Sequence, residues 1–209
     1  MVRTGKLKLG AVAAGLAVVL AVTVLALLAT APADAVSRYK VVTKTFSNSQ
    51  TIAIPTSGVA APYPSEKNAG GFKKGKIRDV NLTLKNFSHT YPTDVDVMLS
   101  HRGVTRTVMS DVGGGLDALN ITLKLDDEAA SLMPDDALTG GTFKPTNAGQ
   151  IDDGFPSPAP APSGLAALSG FDGKNPNGTW YLWVRDDADP DGGQFAGGWS
   201  ITIKARVLR

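Results

Sequence analysis

At 209 residues with 43% hydrophobic content and no cysteine, the chain suits one globular body plus a targeting segment. It excludes disulfides, thiol catalysis, cysteine-based metal sites and a lipoprotein anchor. The formal net charge is +2, but setting aside Arg3, Lys6, Lys8 and Asp34 reduces 21 cations and 19 anions to 18 of each, and that neutral remainder speaks against nucleic acid as a partner.

The first 35 residues read as an export segment. Arg3, Lys6 and Lys8 form a positive start, and Ala11 to Ala29 form an apolar run. Ala33-Asp34-Ala35 then makes an A-x-A cleavage pattern with Val36 after it. The earlier A-x-A at Ala29–Ala31 is followed by Pro32, which disfavours cleavage there. Cleavage after Ala35 releases a secreted chain. Without cleavage, an apolar run of about 19 residues is long enough to anchor the protein in a bilayer. In both cases residues 36–209 are expected outside the cytoplasm. Residues 36–45 read as a short lead-in and 46–209 as a single domain.

Beyond Val36 the periodicity is two, not 3.6. Val80, Leu82 and Leu84 share one face, opposite Asp79, Asn81 and Thr83. Val95, Val97 and Leu99 alternate with Asp94, Asp96 and Met98. Ile121, Leu123 and Leu125 follow the same rule, and so do Trp180, Leu182 and Val184. Trp199, Ile201, Ile203, Ala205 and Val207 mark a last long strand. One apolar face at period two predicts half-buried antiparallel strands. Turn clusters separate them: Gly70-Gly71, Gly113-Gly114-Gly115, Gly140-Gly141, Asn175-Pro176-Asn177-Gly178 and Gly192-Gly193. Such punctuation predicts an all-β sandwich or jelly roll. The Trp180 strand and the last strand contain no proline and are expected to lie centrally. The proline-rich stretch 155–163 resembles a linker, but the 46 residues from 164 to 209 are too few to bury their own core. It is therefore expected to be a long loop inside one domain.

Several segments, in order, resemble one family. They include Tyr63-Pro64-Ser65, His89-Thr90-Tyr91-Pro92-Thr93-Asp94-Val95-Asp96, and Met109-Ser110-Asp111. Gly141-Thr142-Phe143-Lys144-Pro145-Thr146 follows, then Phe171-Asp172-Gly173-Lys174-Asn175-Pro176-Asn177-Gly178-Thr179-Trp180, and last Gly197-Gly198-Trp199-Ser200-Ile201-Thr202. Together they resemble the proprotein convertase P domain, or Homo B domain, from about Phe46 to Ile203. The resemblance implies a galactose-binding-like, jelly-roll antiparallel β-sandwich. It also implies a non-catalytic role like that of the domain that supports subtilisin-like serine proteases. A secreted protease or another extracellular protein is then the expected partner. Oligomeric state is left open.

Two acidic sets are candidate calcium sites. Asp187, Asp189 and Asp191 with Gly192 spell D-x-D-x-D-G, and alternate carboxylates in a tight loop converge on one hard cation. No Glu stands at the twelfth position of that loop, and an acidic hairpin tip is the competing reading. Asp94, Asp96 and Asp111 form the second set, with Asp94 and Asp96 on one strand face. Two carboxylates side by side repel unless a cation or a donor sits between them. Asp126-Asp127-Glu128 reads as a solvated turn.

Support for catalysis is thin. Only His89 and His101 are available as bases, and neither a Gly-x-Ser-x-Gly elbow nor His-Glu-x-x-His occurs. The Gly-Thr-Ser-Met-Ala serine motif is also absent. His89 reads as a structural hydrogen-bonding residue. Tyr181 and Trp183, opposite the core face of their strand, form the one aromatic patch suited to a carbohydrate or cell-envelope ligand. A small hydrolase using His89 is the remaining alternative.

Overall fold

In the computed structural model, residues 38–149 and 154–209 are described. The expected export segment, with its cleavage residues Ala33 and Ala35, lies outside them. Two packed β-sheets account for nearly all the regular structure, so the all-β sandwich expectation holds. Among the described residues, no helix is long and apolar enough to cross a membrane.

The first sheet runs β1 (Tyr39–Asn48), β13 (Trp199–Leu208), β5 (Lys76–His89), β12 (Gly193–Phe195) and β2 (Ile52–Ile54). β8 (Ala118–Leu125) joins the far edge of β5 and carries β9 (Gly141–Phe143). The second sheet runs β10 (Thr146–Asn147), β7 (Val104–Ser110), β6 (Val95–His101), β11 (Gly178–Asp186) and β3 (Gly58–Val59). In it β4 (Ser65–Ala69) also pairs with β11. The two strands expected to be central are central: β13 lies between β1 and β5, and β11 between β6 and its partners β3 and β4.

Two features depart from a purely antiparallel sandwich. β7 and β10 pair in parallel, and so do β8 and β9. Both β9 and β10 are short returns after the long excursion that follows Leu125. A further correction concerns residues 36–45, read as a lead-in. Every residue of Tyr39–Asn48 pairs with β13, so the folded body already includes Tyr39. The stretch hides its strand character because Lys40 and Lys44 occupy an edge whose residues are exposed or half-buried.

The core lies between the sheets. Trp180, Trp199, Phe87, Phe195 and Phe171 are fully buried within it, with Leu82, Leu84 and Ile201. Each buried Leu or Ile side chain contributes about 1.5–3 kcal/mol relative to exposure, and this core does so without a single cross-link. Trp199 Nε1 donates to Ser65 Oγ at 2.9 Å, so the indole spans from one sheet to the other with its polar atom satisfied.

β6 differs from the expectation of a half-buried strand, because all seven of its residues are buried. The proline-rich stretch 155–163 explains this. It crosses the outward face of the second sheet as a strap rather than linking two domains. Phe155 packs there with Met98 and Trp183, and Tyr63, Ala159 and Tyr181 close around them. Tyr63 Oη donates to Pro156 O at 3.0 Å, and Thr105 Oγ1 donates to Ala161 O at 3.3 Å. Burial pushes the Tyr63 hydroxyl up to about 12 against the pull of Arg185.

Candidate functional site

β5 ends at His89 and β11 ends at Asp186, and the two side chains meet in the interior. His89 Nε2 lies 2.9 Å from Asp186 Oδ2, and both side chains are fully buried. Tyr91 N donates to His89 Nδ1 at 3.2 Å, which makes Nδ1 an acceptor and assigns the ring proton to Nε2. Asp186 Oδ1 in turn accepts from Ala188 N at 3.1 Å. A histidine oriented by a carboxylate is two thirds of a hydrolytic triad. Here both ring nitrogens are already engaged, one with the carboxylate and one with backbone, so neither faces a serine. The dyad instead fixes the tip loop at its root.

That loop, 187–192, projects beyond β11. Asp187 and Asp189 are exposed, and Asp191 accepts a hydrogen bond from Thr90 Oγ1 at 2.7 Å. Asp187 N donates to Asp94 O at 3.0 Å, which draws the Pro92–Asp94 turn against the loop. Asp94 is 8% exposed. Its carboxyl is pushed up to about 6, first by burial and then by Asp186 and Asp187, with His89 pulling the other way and Asp191 adding to the rise. Asp186 is raised as well, chiefly by burial, against the donors that hold it.

The structure therefore regroups the two acidic sets. Asp94 belongs with Asp186, Asp187 and Asp191, not with Asp96 and Asp111. Asp96 is 2% exposed in β6 and faces Arg185, whose Nη1 is 3.8 Å from Asp96 Oδ2. Their positions are register partners between β6 and β11. Asp111 accepts from Ser110 Oγ at 2.9 Å and turns the chain with a φ of 53°. Among the described residues, no three histidine or acidic side chains stand close enough to hold a metal ion.

Asp126-Asp127-Glu128 is more than a solvated turn. The Asp127 carboxylate accepts from Leu168 N at 2.9 Å and Ser169 N at 2.7 Å. It thus satisfies the opening amides of the 3-10 turn Leu168–Phe171. The spacing of 41 residues gives no local signal, so sequence reading missed it.

At the opposite end a second buried histidine organises the chain. His101, 1% exposed, lies flat against Trp180 with ring centroids 4.0 Å apart and planes 3° from parallel. Carbonyl oxygens face both of its nitrogens, Thr179 O at 2.9 Å and Asn175 O at 2.8 Å. Asn177 accepts from Phe72 N at 3.0 Å and donates to Phe72 O at 2.8 Å, so its amide stands in for a strand residue. The segment Asn175–Trp180 is thereby committed to holding loops together.

Tyr181 and Trp183 stack at 6.1 Å beneath the strap. Trp183 is 5% exposed and donates from Nε1 to Ser100 Oγ at 2.8 Å, so its polar atom is already engaged within the protein. Both side chains line a cavity of about 190 Å³, together with Arg102, Val104, Thr105 and Pro160. No protein-family model, curated protein or solved structure matches this chain.

Proposed function

We propose that the chain is a secreted, non-catalytic module of P-domain type, a jelly-roll sandwich that supports or docks on another extracellular protein such as a protease. The observation that carries this reading is the closed His89–Asp186 dyad. This buried base paired to an acid spends both nitrogens on structure. The residues that carry the family resemblance are spent the same way. Asn177 ties Phe72 into place, Trp180 stacks on His101, and Trp199 bridges the sheets.

Calcium as a brace of the acidic tip belongs to the same proposal. Asp94 and Asp187, with Asp191 beside them, crowd at one place, and a divalent cation relieves their repulsion more completely than a proton does. Asp189 extends the set from the exposed side of the loop. The carboxylates would have to close in from their present positions, since no three of them converge among the described residues.

A thermal melt of residues 36–209 in millimolar Ca²⁺ and then in excess chelator tests the brace. Saturation at about one hundred times the dissociation constant adds roughly 2.7 kcal/mol, a shift of several degrees. Loss of the shift in Asp187→Asn places the ion at the tip. An unchanged melt removes calcium from the reading. The docking role is tested by co-purification with secreted proteases and by assay of peptide and ester turnover. Turnover that disappears in His89→Ala would overturn the non-catalytic reading.

A further inference from the structure

The loops at the two ends of the sandwich carry opposite charge. β5 and β11 both run from one end to the other, and the 14 residues of β5 span about 45 Å. Where they finish, the loops 90–94, 111–117, 132–140 and 187–192 are tied into one surface. Thr93 N donates to Gly114 O at 3.4 Å, Gly113 N to Pro134 O at 2.8 Å, and Asp187 N to Asp94 O at 3.0 Å. These four loops contain no Lys and no Arg, yet they expose Asp117, Asp135, Asp136, Asp187 and Asp189. Apolar side chains stand among the acids: Tyr91 is 42% exposed, Leu116 57% and Leu119 69%. Leu119 lines an open cleft with Thr90, Gly193 and Gln194.

Where β5 and β11 begin, the sign reverses. Lys73, Lys74, Lys76, Arg102 and Lys174 are exposed there and outnumber the exposed Asp172 that stands among them. Leu208 N donates to Lys73 O at 2.9 Å, Ile77 N donates to Lys174 O at 3.0 Å, and Arg102 Nη2 donates to Asn177 O at 2.8 Å. This end also carries apolar side chains on its rim, with Tyr39 42% and Val41 58% exposed. Like charges gathered at one end repel one another, and a surface of opposite sign that also covers the apolar residues relieves both costs. The chain itself supplies such a surface.

We infer that the acidic end of one copy docks on the basic end of a second copy, head to tail. The two patches are different surfaces, so the contact is heterologous and each dimer keeps one free patch of each sign. Association therefore continues past two copies as concentration rises, and it weakens with salt. This inference goes beyond the P-domain reading and stands or falls separately from it.

Sedimentation velocity on Val36–Arg209, the compact unit that holds both sheets and the core, tests it in chelator. The expected result is an average mass that rises with concentration at about 50 mM salt, with at least roughly tenfold weaker association at about 500 mM. Two charge-reversed variants sharpen the test: Asp135→Lys with Asp136→Lys, and Lys76→Glu with Lys174→Glu. All four side chains are exposed, so the substitutions leave the core untouched. Each variant alone is expected to stay monomeric, and an equimolar mixture is expected to form mixed pairs. A wild type that stays monomeric at low salt overturns the inference. So does association that both variants retain, which would place the contact elsewhere, with the β1 edge as the first place to look.

Discussion

The two ends of the sandwich are each organised around a buried histidine, and the two are built differently. His89 accepts a backbone N–H and shares a proton with the Asp186 carboxylate. His101 is held between two carbonyl oxygens and the face of Trp180. At the acidic end, the imidazole keeps a carboxylate tolerable in the interior. At the basic end, it gathers two stretches of backbone. Residue type and burial alone do not distinguish them; the partners do.

Breaking the buried His89–Asp186 hydrogen bond has the larger expected effect. His89→Leu leaves Oδ2 of the buried Asp186 carboxylate without its imidazole donor and is expected to cost about 3–5 kcal/mol. Adding Asp186→Asn is expected to recover part of that loss, and chemical denaturation of both variants and the double variant measures the coupling. If the double variant is no more stable than His89→Leu, the charge argument fails. His101→Leu removes the partner of two half-buried carbonyls without stranding a charge, and about 2 kcal/mol is expected. A loss larger than that of His89→Leu would invert the comparison.

Asp94 sharpens it further, because its sign is opposite. Burial and the nearby carboxylates raise its folded value from 3.8 to about 6, so the folded chain takes up this proton at a higher pH than the unfolded chain. Its cost is absent below about pH 4, grows through the interval, and is complete above about pH 6. In chelator, Asp94→Asn is therefore expected to stabilise the protein at pH 7 by up to about 3 kcal/mol and to make little difference at pH 4. With calcium bound, the same substitution is expected to destabilise. Melts at the two pH values, with and without the ion, separate these outcomes. The smallest effect is expected from Arg102→Ala. It removes two exposed hydrogen bonds to Asn177 O and costs less than about 1 kcal/mol.

Much of the sandwich was legible in the sequence, because period-two patterns report a local fact about which face is buried. The β5 and β13 alternations and the inward faces of Trp180 and Trp199 needed no partner to be read. β1 was not legible, because an edge strand with lysines on its open side carries little apolar contrast. β6 misled because its second face is covered by the strap, some 60 residues away in sequence. The acidic tip was only half legible. Asp187 and Asp191 are neighbours in sequence, but Asp94 reaches them through the pairing of β6 with β11, where Asp186 stands opposite Val95. Asp186 itself, the partner of His89, lay one residue outside the motif that drew attention.

The pairing of β1 with β13 also bears on the time course of folding. Tyr39 stands opposite Leu208, so among the described residues the first strand finds its one ladder partner in the last. A chain made from its N-terminus keeps β1 waiting, with every ladder amide unmet, until the final ten residues have appeared. Closing so long a loop is slow, and during that wait an exposed strand offers itself to any unpaired neighbour. Lys40 and Lys44, which blurred the strand to inspection, place charge along it during the interval when it is most prone to stick.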